Sequence, residues 1–198
     1  MRRGAGGEVR AGPKEGVNFL DWGHVTSPIH THNSSYREIL IEHLFIGEIM
    51  RRLWIQGITQ FEVLQPQVDD SGYDLVIEAN GVVRHIQLKS SFDTATTGQV
   101  KASLKLAQKP SACIVWVRFN PDTVDLGPFL WFGGAPGRPI PDLTRFRVAK
   151  HTRANARGIK QERPNQRSIP GSQFESIGDY DSLVMKLFGK FKAVPNAV

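Results

Sequence analysis

The chain has a single cysteine and no apolar run long enough to cross a membrane. Cys113 can form no internal disulfide, and its place within the apolar residues 113–117 predicts a core side chain in a reducing compartment. The basic start is followed by no apolar stretch, which argues against a secretory signal. We therefore expect a cytoplasmic protein with no membrane partner.

Acidic residues are fewer than basic residues, with 19 Asp and Glu against 25 Lys and Arg, and the net charge is +6. This excess favours a polyanionic partner such as nucleic acid, and a solvated basic surface fits it about equally well. We expect a disordered leader over residues 1–16 and a single domain over 17–198. The domain would have a core at about 34–135 and a basic C-terminal extension at 140–198.

Apolar periodicity and turn signals predict the order helix, three strands, helix, strand. The first helix should cover residues 36–56, with Ser34 or Ser35 as N-cap, Glu38 closing a capping box and Gly57 at the C-terminal end. Strands are predicted at 58–64, 73–79, 82–89, 112–118 and 128–132, and further helices at 97–108 and 179–188. This order predicts an α/β fold with a central mixed β-sheet flanked by helices.

Asn80-Gly81 lies between two β-like runs and is the strongest short-range hairpin signal. A type I′ turn there sets the register and places Asp74 directly opposite Gln87, so that both share one face of the sheet. Lys89 joins that face because it lies two residues beyond Gln87. A carboxylate, an amide and an ammonium group are thus predicted together at one end of a hairpin.

Phosphodiester hydrolysis explains this trio better than sheet stability does. A divalent cation, Mg²⁺ or Mn²⁺, held by oxygen ligands stabilises the charge of the transition state and activates water. Asp74 would be the anionic ligand, with the side-chain carbonyl of Gln87 and the backbone carbonyl of Leu88 beside it. Lys89 would orient water or stabilise the developing charge. A surface ion pair between Asp74 and Lys89 is the simpler alternative.

Asp74, a gap of twelve residues, and then Gln87-Leu88-Lys89 resembles the PD-(D/E)XK nuclease superfamily. The similarity covers roughly residues 34–118. It implies a restriction-endonuclease-like three-layer sandwich with an α-β-β-β-α-β core, and cleavage of DNA in restriction, repair or recombination. Gly72-Tyr73 stands where the family often has proline, and Gln87 replaces the usual acidic residue.

The resemblance also implies a glutamate from the upstream helix. Glu42 lies among apolar residues of the helix, where a carboxylate needs a partner such as a metal site. Glu48 is the alternative, although its spacing to Arg52 suits a surface ion pair. Glu38 is assigned to capping.

The replacement of an acid by Gln87 leaves a second hypothesis open. Loss of one negative charge would weaken metal binding, and the chain would then be an inactive nucleic-acid-binding module with the nuclease fold. An RNA-directed enzyme is a third and weaker hypothesis, and a homodimer is left open.

Basic and hydroxyl side chains near this hairpin are candidates for nucleic-acid contact. Residues 145–167 hold eight Lys or Arg against one acid, which suits phosphate contact, with a mobile solubilising loop as the alternative. Lys101 and Lys105 would line the DNA path or be solvated lysines. The candidate residues are Ser90, Ser91, Lys101, Lys105, Lys150, Arg153, Arg157 and Lys160.

Overall fold

A six-stranded mixed sheet lies between two helices on one face and a three-stranded sheet on the other. The computed structural model describes residue 30 and residues 32–68, 70–156 and 158–191. The leader predicted for residues 1–16 lies outside these ranges. No helix within them has the length and apolar character needed to cross a bilayer.

The large sheet has the order β1-β2-β3-β5-β6-β9, and the small sheet has the order β4-β8-β7. All neighbouring pairs are antiparallel except β3 and β5, which are parallel. The strands are β1 Phe61–Leu64, β2 Leu75–Ala79, β3 Val82–Phe92, β4 Gln99–Ser103, β5 Ala112–Phe119, β6 Leu126–Gly133, β7 Arg147–Lys150, β8 Glu162–Pro170 and β9 Glu175–Ile177.

Helix α1 spans Ser34–Ile55, and it is held on the large sheet by one apolar stripe. The buried residues of the stripe, Ile41, Phe45, Ile49 and Leu53, recur every four positions and therefore share one side of the helix. They pack against β2, β5 and β6, together with the second helix, α2, which spans Tyr180–Phe188. Both helices lie where the apolar patterns predict them.

The predicted N-cap of α1 is wrong by one residue. Asn33 is the N-cap, and its side chain makes no capping hydrogen bond. Ser34 and Ser35 belong to the first turn, so neither is the N-cap of the predicted capping box with Glu38. The other end agrees with prediction, because Gly57 has a φ of +75° and follows the last turn in the left-handed conformation that glycine favours.

The hairpin between β2 and β3 confirms the predicted turn. Asn80 and Gly81 have φ values of 54° and 69°, as a type I′ turn requires. Ala79 pairs with Val82, and the register continues to the pair Leu75 and Ile86.

The helix predicted at residues 97–108 is wrong. Residues Gln99–Ser103 form β4, and Leu104–Gln108 form a short 3-10 helix that begins with the Ser103 hydroxyl accepting a hydrogen bond from the Lys105 N–H. Val100 and Ala102 are buried while Lys101 and Ser103 are half-buried, which is the two-residue period of a strand. The predicted α-β-β-β-α-β order is therefore wrong at its second helix, where the structure has a strand followed by a short 3-10 helix.

The small sheet, rather than a helix, covers the second face of the large sheet. Its strands β7 and β8 come from the basic segment 145–167, for which the sequence predicted no strands. Val100, Ala102 and Ile169 pack with Ile114 and Trp116 of β5 in a second apolar core. Within the described residues the structure is therefore mixed α/β, with both α-helices on one side of the central sheet and the 3-10 helix Leu104–Gln108 in the core on the other.

Candidate functional site

The site lies where β1 and β2 stop and leave the end of β3 open on one side. The ladder between β2 and β3 ends at Leu75 and Ile86. Asp74 is the residue before β2, and its N–H donates to the Ile86 carbonyl over 2.9 Å. Its carboxylate accepts a hydrogen bond from the Leu88 N–H over 2.6 Å. Asp74 therefore lies just outside the β2–β3 ladder. The prediction that it pairs directly with Gln87 is wrong, because its N–H binds Ile86 instead.

Leu88 presents its backbone to Asp74. Its N–H points at the Asp74 carboxylate. The N–H and C=O of one strand residue point to the same side, so the Leu88 carbonyl also faces the gap left by β2. The Leu88 carbonyl oxygen and the Asp74 carboxylate therefore lie at the same open edge of β3.

Gln87 contributes a buried side-chain oxygen. The residue is 7% exposed, and its Oε1 has no hydrogen-bond partner among the described residues. It lines a cavity of about 400 Å³ together with Asp74 and Lys89. An unsatisfied buried acceptor costs about 1–3 kcal/mol, which a cation or a water molecule bound in the cavity would offset. The three sequence-predicted hairpin residues are thus brought together.

Glu42 of α1 approaches Asp74 from the helix side. Both line a cavity of about 500 Å³ that also includes Leu88, Lys89 and Ser90. Partial burial, and then the negative charge of Asp74, raises the pKa of Glu42, while a hydrogen bond donated by the Gln65 amide opposes this. Glu42 borders the buried stripe of α1 instead of lying within it.

Glu48, the alternative helix residue, lies in a different network. Its carboxylate accepts hydrogen bonds from Arg51 at 2.7 Å and from Arg52 at 2.8 Å. Arg52 also binds Asp181 of α2 over 2.7 Å, so these charges join the two helices. The hydrogen bond from Arg51 is the main cause that lowers the pKa of Glu48. The structure therefore brings Glu42, and not Glu48, to Asp74.

The donor atoms suit a hard divalent cation. A carboxylate, an amide oxygen and a backbone carbonyl are the ligands that Mg²⁺ and Mn²⁺ prefer, with Glu42 close by. Within the described ranges no three His, Cys, Asp or Glu side chains form a metal-binding group. Any cation here would therefore depend on the Gln87 and Leu88 oxygens as well as on acids.

The candidate nucleic-acid contacts divide into three groups. Ser90 lines the Glu42 cavity, and Lys101 lines the Gln87 cavity while donating to the Lys150 carbonyl over 2.6 Å. Ser91 accepts hydrogen bonds from Trp116 and Arg118, and Lys105 forms an ion pair with Asp70. The remaining positions are Lys150, Arg153 and Lys160, all exposed, and Arg157, which lies outside the described residues.

Several residues of the Gln87 cavity were not predicted from the sequence. Thr152, Arg163 and Gln166 come from β8 and the loop before it, and Ser103 comes from β4. The alternation of apolar and polar residues in 99–103 was the signal that could have placed Ser103 on this side. Nothing local marks the others, because strand pairing across more than 60 residues brings them to the cavity.

Gly72 allows the chain segment that leads into Asp74 to pack closely against β4. It has a φ of +76°, and a Cβ added there would come within 2.6 Å of the Ser103 Cβ. A glycine is therefore required at this crossing, where the chain leads into Asp74.

Comparisons with known proteins assign the chain to no family. One solved structure, described as that of a bacterial homing endonuclease, I-Ssp6803I, matches 46% of this chain at 26% identity, with a TM-score of 0.24. The match spans 57% of that protein's length. No protein-family model matches the chain. The search of curated proteins also found no match.

Proposed function

We propose that the chain is a divalent-cation-dependent nuclease that hydrolyses phosphodiester bonds in DNA. The buried, unpaired Oε1 of Gln87 carries the proposal, because it lies in one cavity with Asp74 and Lys89. Buried acceptors are seldom left without a donor, so a cation or water bound in the cavity is a natural partner for this oxygen.

The residues around this oxygen have distinct tasks. Mg²⁺ or Mn²⁺ would be held by Asp74, Gln87, the Leu88 carbonyl and Glu42, and would supply Lewis-acid stabilisation of the phosphate and a lowered pKa of bound water. The Leu88 N–H fixes the Asp74 carboxylate in place. Lys89 lies between the two cavities, where its ammonium group would stabilise negative charge on the phosphate. Glu42 would complete the ligand set from the helix side, where it lines one cavity with Asp74 and Leu88.

Basic and hydroxyl residues, of which Ser90 and Lys101 line the cavities, would hold the substrate. We propose Ser90, Lys101, Lys150, Arg153, Arg157 and Lys160 for contacts to the DNA backbone, with Ser91 and Lys105 held in place by their own partners. Such contacts neutralise phosphates and position the strand without reading sequence.

The test is cleavage of plasmid, single-stranded and branched DNA, with RNA alongside, in Mg²⁺, Mn²⁺ or EDTA. We expect metal-dependent cleavage that falls at least roughly 100-fold in Asp74→Ala and Lys89→Ala. Glu42→Gln should also lose activity, while Glu48→Gln on the same helix should keep it. Cleavage that survives both Asp74→Ala and Lys89→Ala would contradict the site assignment.

A second candidate function is a DNA-binding module without catalysis. The observation that favours it is the absence, in the described part of the chain, of three acidic or histidine side chains grouped for a metal. It predicts salt-sensitive DNA binding without cleavage and little effect of Asp74→Ala. Wild-type nicking that Asp74→Ala abolishes would rule it out.

A further inference from the structure

The small sheet has one apolar face and one polar face. Val100 and Ile169 pair directly and point into the second core. Lys101 lies opposite Ser168, which in turn lies opposite Arg147, so these three share the other face. We call that surface the polar face. Alternation along the strands assigns to it Gln99, Lys101, Ser103, Arg147, Gln166, Ser168 and Pro170. Arg163 lies beyond a register shift between β7 and β8, and it joins this face by lining the same cavity as Lys101 and Ser103.

The polar face is cationic. Lys101, Arg147 and Arg163 lie on it, and none of its assigned residues is acidic. Glu162 of β8 is exposed and lies beyond the register shift, opposite Lys150 of β7. A surface with several cations and no carboxylate of its own suits a polyanion.

One end of the polar face forms a wall of the candidate site. Lys101, Ser103 and Arg163 line the cavity that also holds Asp74 and Gln87. A phosphate next to the reacting one would therefore lie against this end of the sheet.

The other end opens into a separate cavity of about 480 Å³. Gln99, Arg147 and Ser168 of the polar face line it, together with Arg145 from the segment before β7. The Arg145 guanidinium lies 4.8 Å from the Phe146 ring centre and donates to the Gln173 side chain over 3.2 Å. Among the described residues neither Arg145 nor Arg147 forms a salt bridge, although the charge of Arg145 helps to lower the pKa of the nearby Asp142 carboxyl.

The distance between the two ends matches a few nucleotides. Ser103 lines the first cavity and Gln99 the second, and four residues of strand span about 13 Å. One strand of duplex DNA rises 3.4 Å along the axis per phosphate and also winds around that axis, so neighbouring phosphates are farther apart in space than this rise, and a span of about 13 Å corresponds to about two phosphates.

We propose that the polar face carries one strand of duplex DNA away from the candidate site, and that Arg145 and Arg147 bind a phosphate about two nucleotides from the reacting one. This proposal rests on the proposed function for the nature of the substrate. It adds a second binding site, at the other end of the polar face, that the hairpin motif does not contain.

The test measures the binding of a labelled DNA duplex in EDTA by fluorescence anisotropy, over a range of salt concentrations. The variant is Arg145→Gln/Arg147→Gln, and the control is Arg138→Gln/Lys190→Gln, which removes the same charge at exposed positions that line neither cavity. We expect roughly tenfold weaker binding and a salt slope reduced by about 1 to 2 in the variant, with no more than a small change in the control. Equal affinities and slopes for the two double variants would overturn the proposal.

Cleavage in Mg²⁺ or Mn²⁺ separates this proposal from the proposed function. A chain that binds the duplex but does not cleave it would contradict the proposed catalysis, and the anisotropy comparison would still decide the binding site. A loss confined to RNA or to single-stranded oligonucleotides would overturn the assignment to duplex DNA. If the wild-type chain bound neither duplex DNA nor single-stranded oligonucleotides nor RNA, both proposals would be overturned.

Discussion

At the scale of single residues, Gln87 differs from its neighbours in having an acceptor that the protein leaves unsatisfied. Leu88 donates its N–H to Asp74, and Asp74 binds the backbone of β3 twice. Glu42 has the Gln65 amide as a donor. Gln87 Oε1 alone in this set has no partner within the described ranges, which is why the functional proposal depends on it.

Asp179 gives a residue-scale prediction on pH. It is the N-cap of α2, and the Ser182 N–H donates to its carboxylate over 2.8 Å, which lowers the pKa of Asp179 below its ordinary 3.8. A lowered folded-state pKa means that the cap stabilises above the unfolded pKa and is lost as pH falls through the folded one. We expect Asp179→Ala to cost about 1 kcal/mol at neutral pH, measured by urea unfolding, with the difference from wild type shrinking below pH 3.8.

Asp179→Asn is the matched control for this prediction, because asparagine caps about as well without titrating. If Asp179→Ala lost the same stability at pH 3 and pH 7, the carboxylate would not be the source of the pH dependence.

At the scale of elements, Arg84 connects β3 to the end of α2. Its fully buried guanidinium donates to the carbonyls of Leu187 at 2.6 Å and Lys186 at 2.9 Å, and to that of Gly134 at 3.2 Å. It also lies 5.3 Å from the centre of the Trp131 ring. The positive charge meets the negative end of the helix, which favours this contact even though burial lowers the pKa of Arg84.

Loss of this connection should destabilise the fold strongly. Arg84→Leu would leave buried carbonyl oxygens without donors, and we expect about 3 kcal/mol less stability in urea unfolding. The exposed Arg147→Leu is the control and should stay within about 0.5 kcal/mol of wild type. A cost below about 1 kcal/mol for Arg84→Leu would show that water replaces the guanidinium.

At the scale of the whole molecule, the candidate site joins layers that fold from distant parts of the chain. Glu42 comes from α1, Asp74 and Gln87 from the hairpin, and Arg163 from the small sheet. A ligand that binds this junction binds the folded chain only, so it must raise the stability of all three layers together.

Metal binding should therefore be visible as thermal stabilisation. A cation at 100 times its Kd adds about 2.7 kcal/mol, or about 5–10 °C in Tm for a chain of this size. We expect such a rise with Mg²⁺ or Mn²⁺ relative to EDTA, and its loss in Asp74→Ala. Asp70→Ala, at another carboxylate of the same cavity, should keep it. An equal rise in wild type and Asp74→Ala would place the cation elsewhere.

The local parts of the fold could be predicted because short-range physics decides them. The apolar stripe of α1 and the Asn80-Gly81 turn depend on residues within a few positions of each other. The register of β2 and β3 follows from that turn. The helix predicted at 97–108 failed because its spacing of apolar residues suits a helix, whereas pairing with β8, some 60 residues away, makes Gln99–Ser103 a strand.

The sequence by itself determined the hairpin and, through its register, that Asp74, Gln87 and Lys89 lie near one end of it. Only the tertiary structure decided that Glu42 is the helix carboxylate beside Asp74, and that a second sheet with its own cations completes the cavity around Gln87. The reason is physical. A two-residue turn fixes its register within the hairpin, whereas the side of a helix and the partner of a strand depend on packing between distant segments.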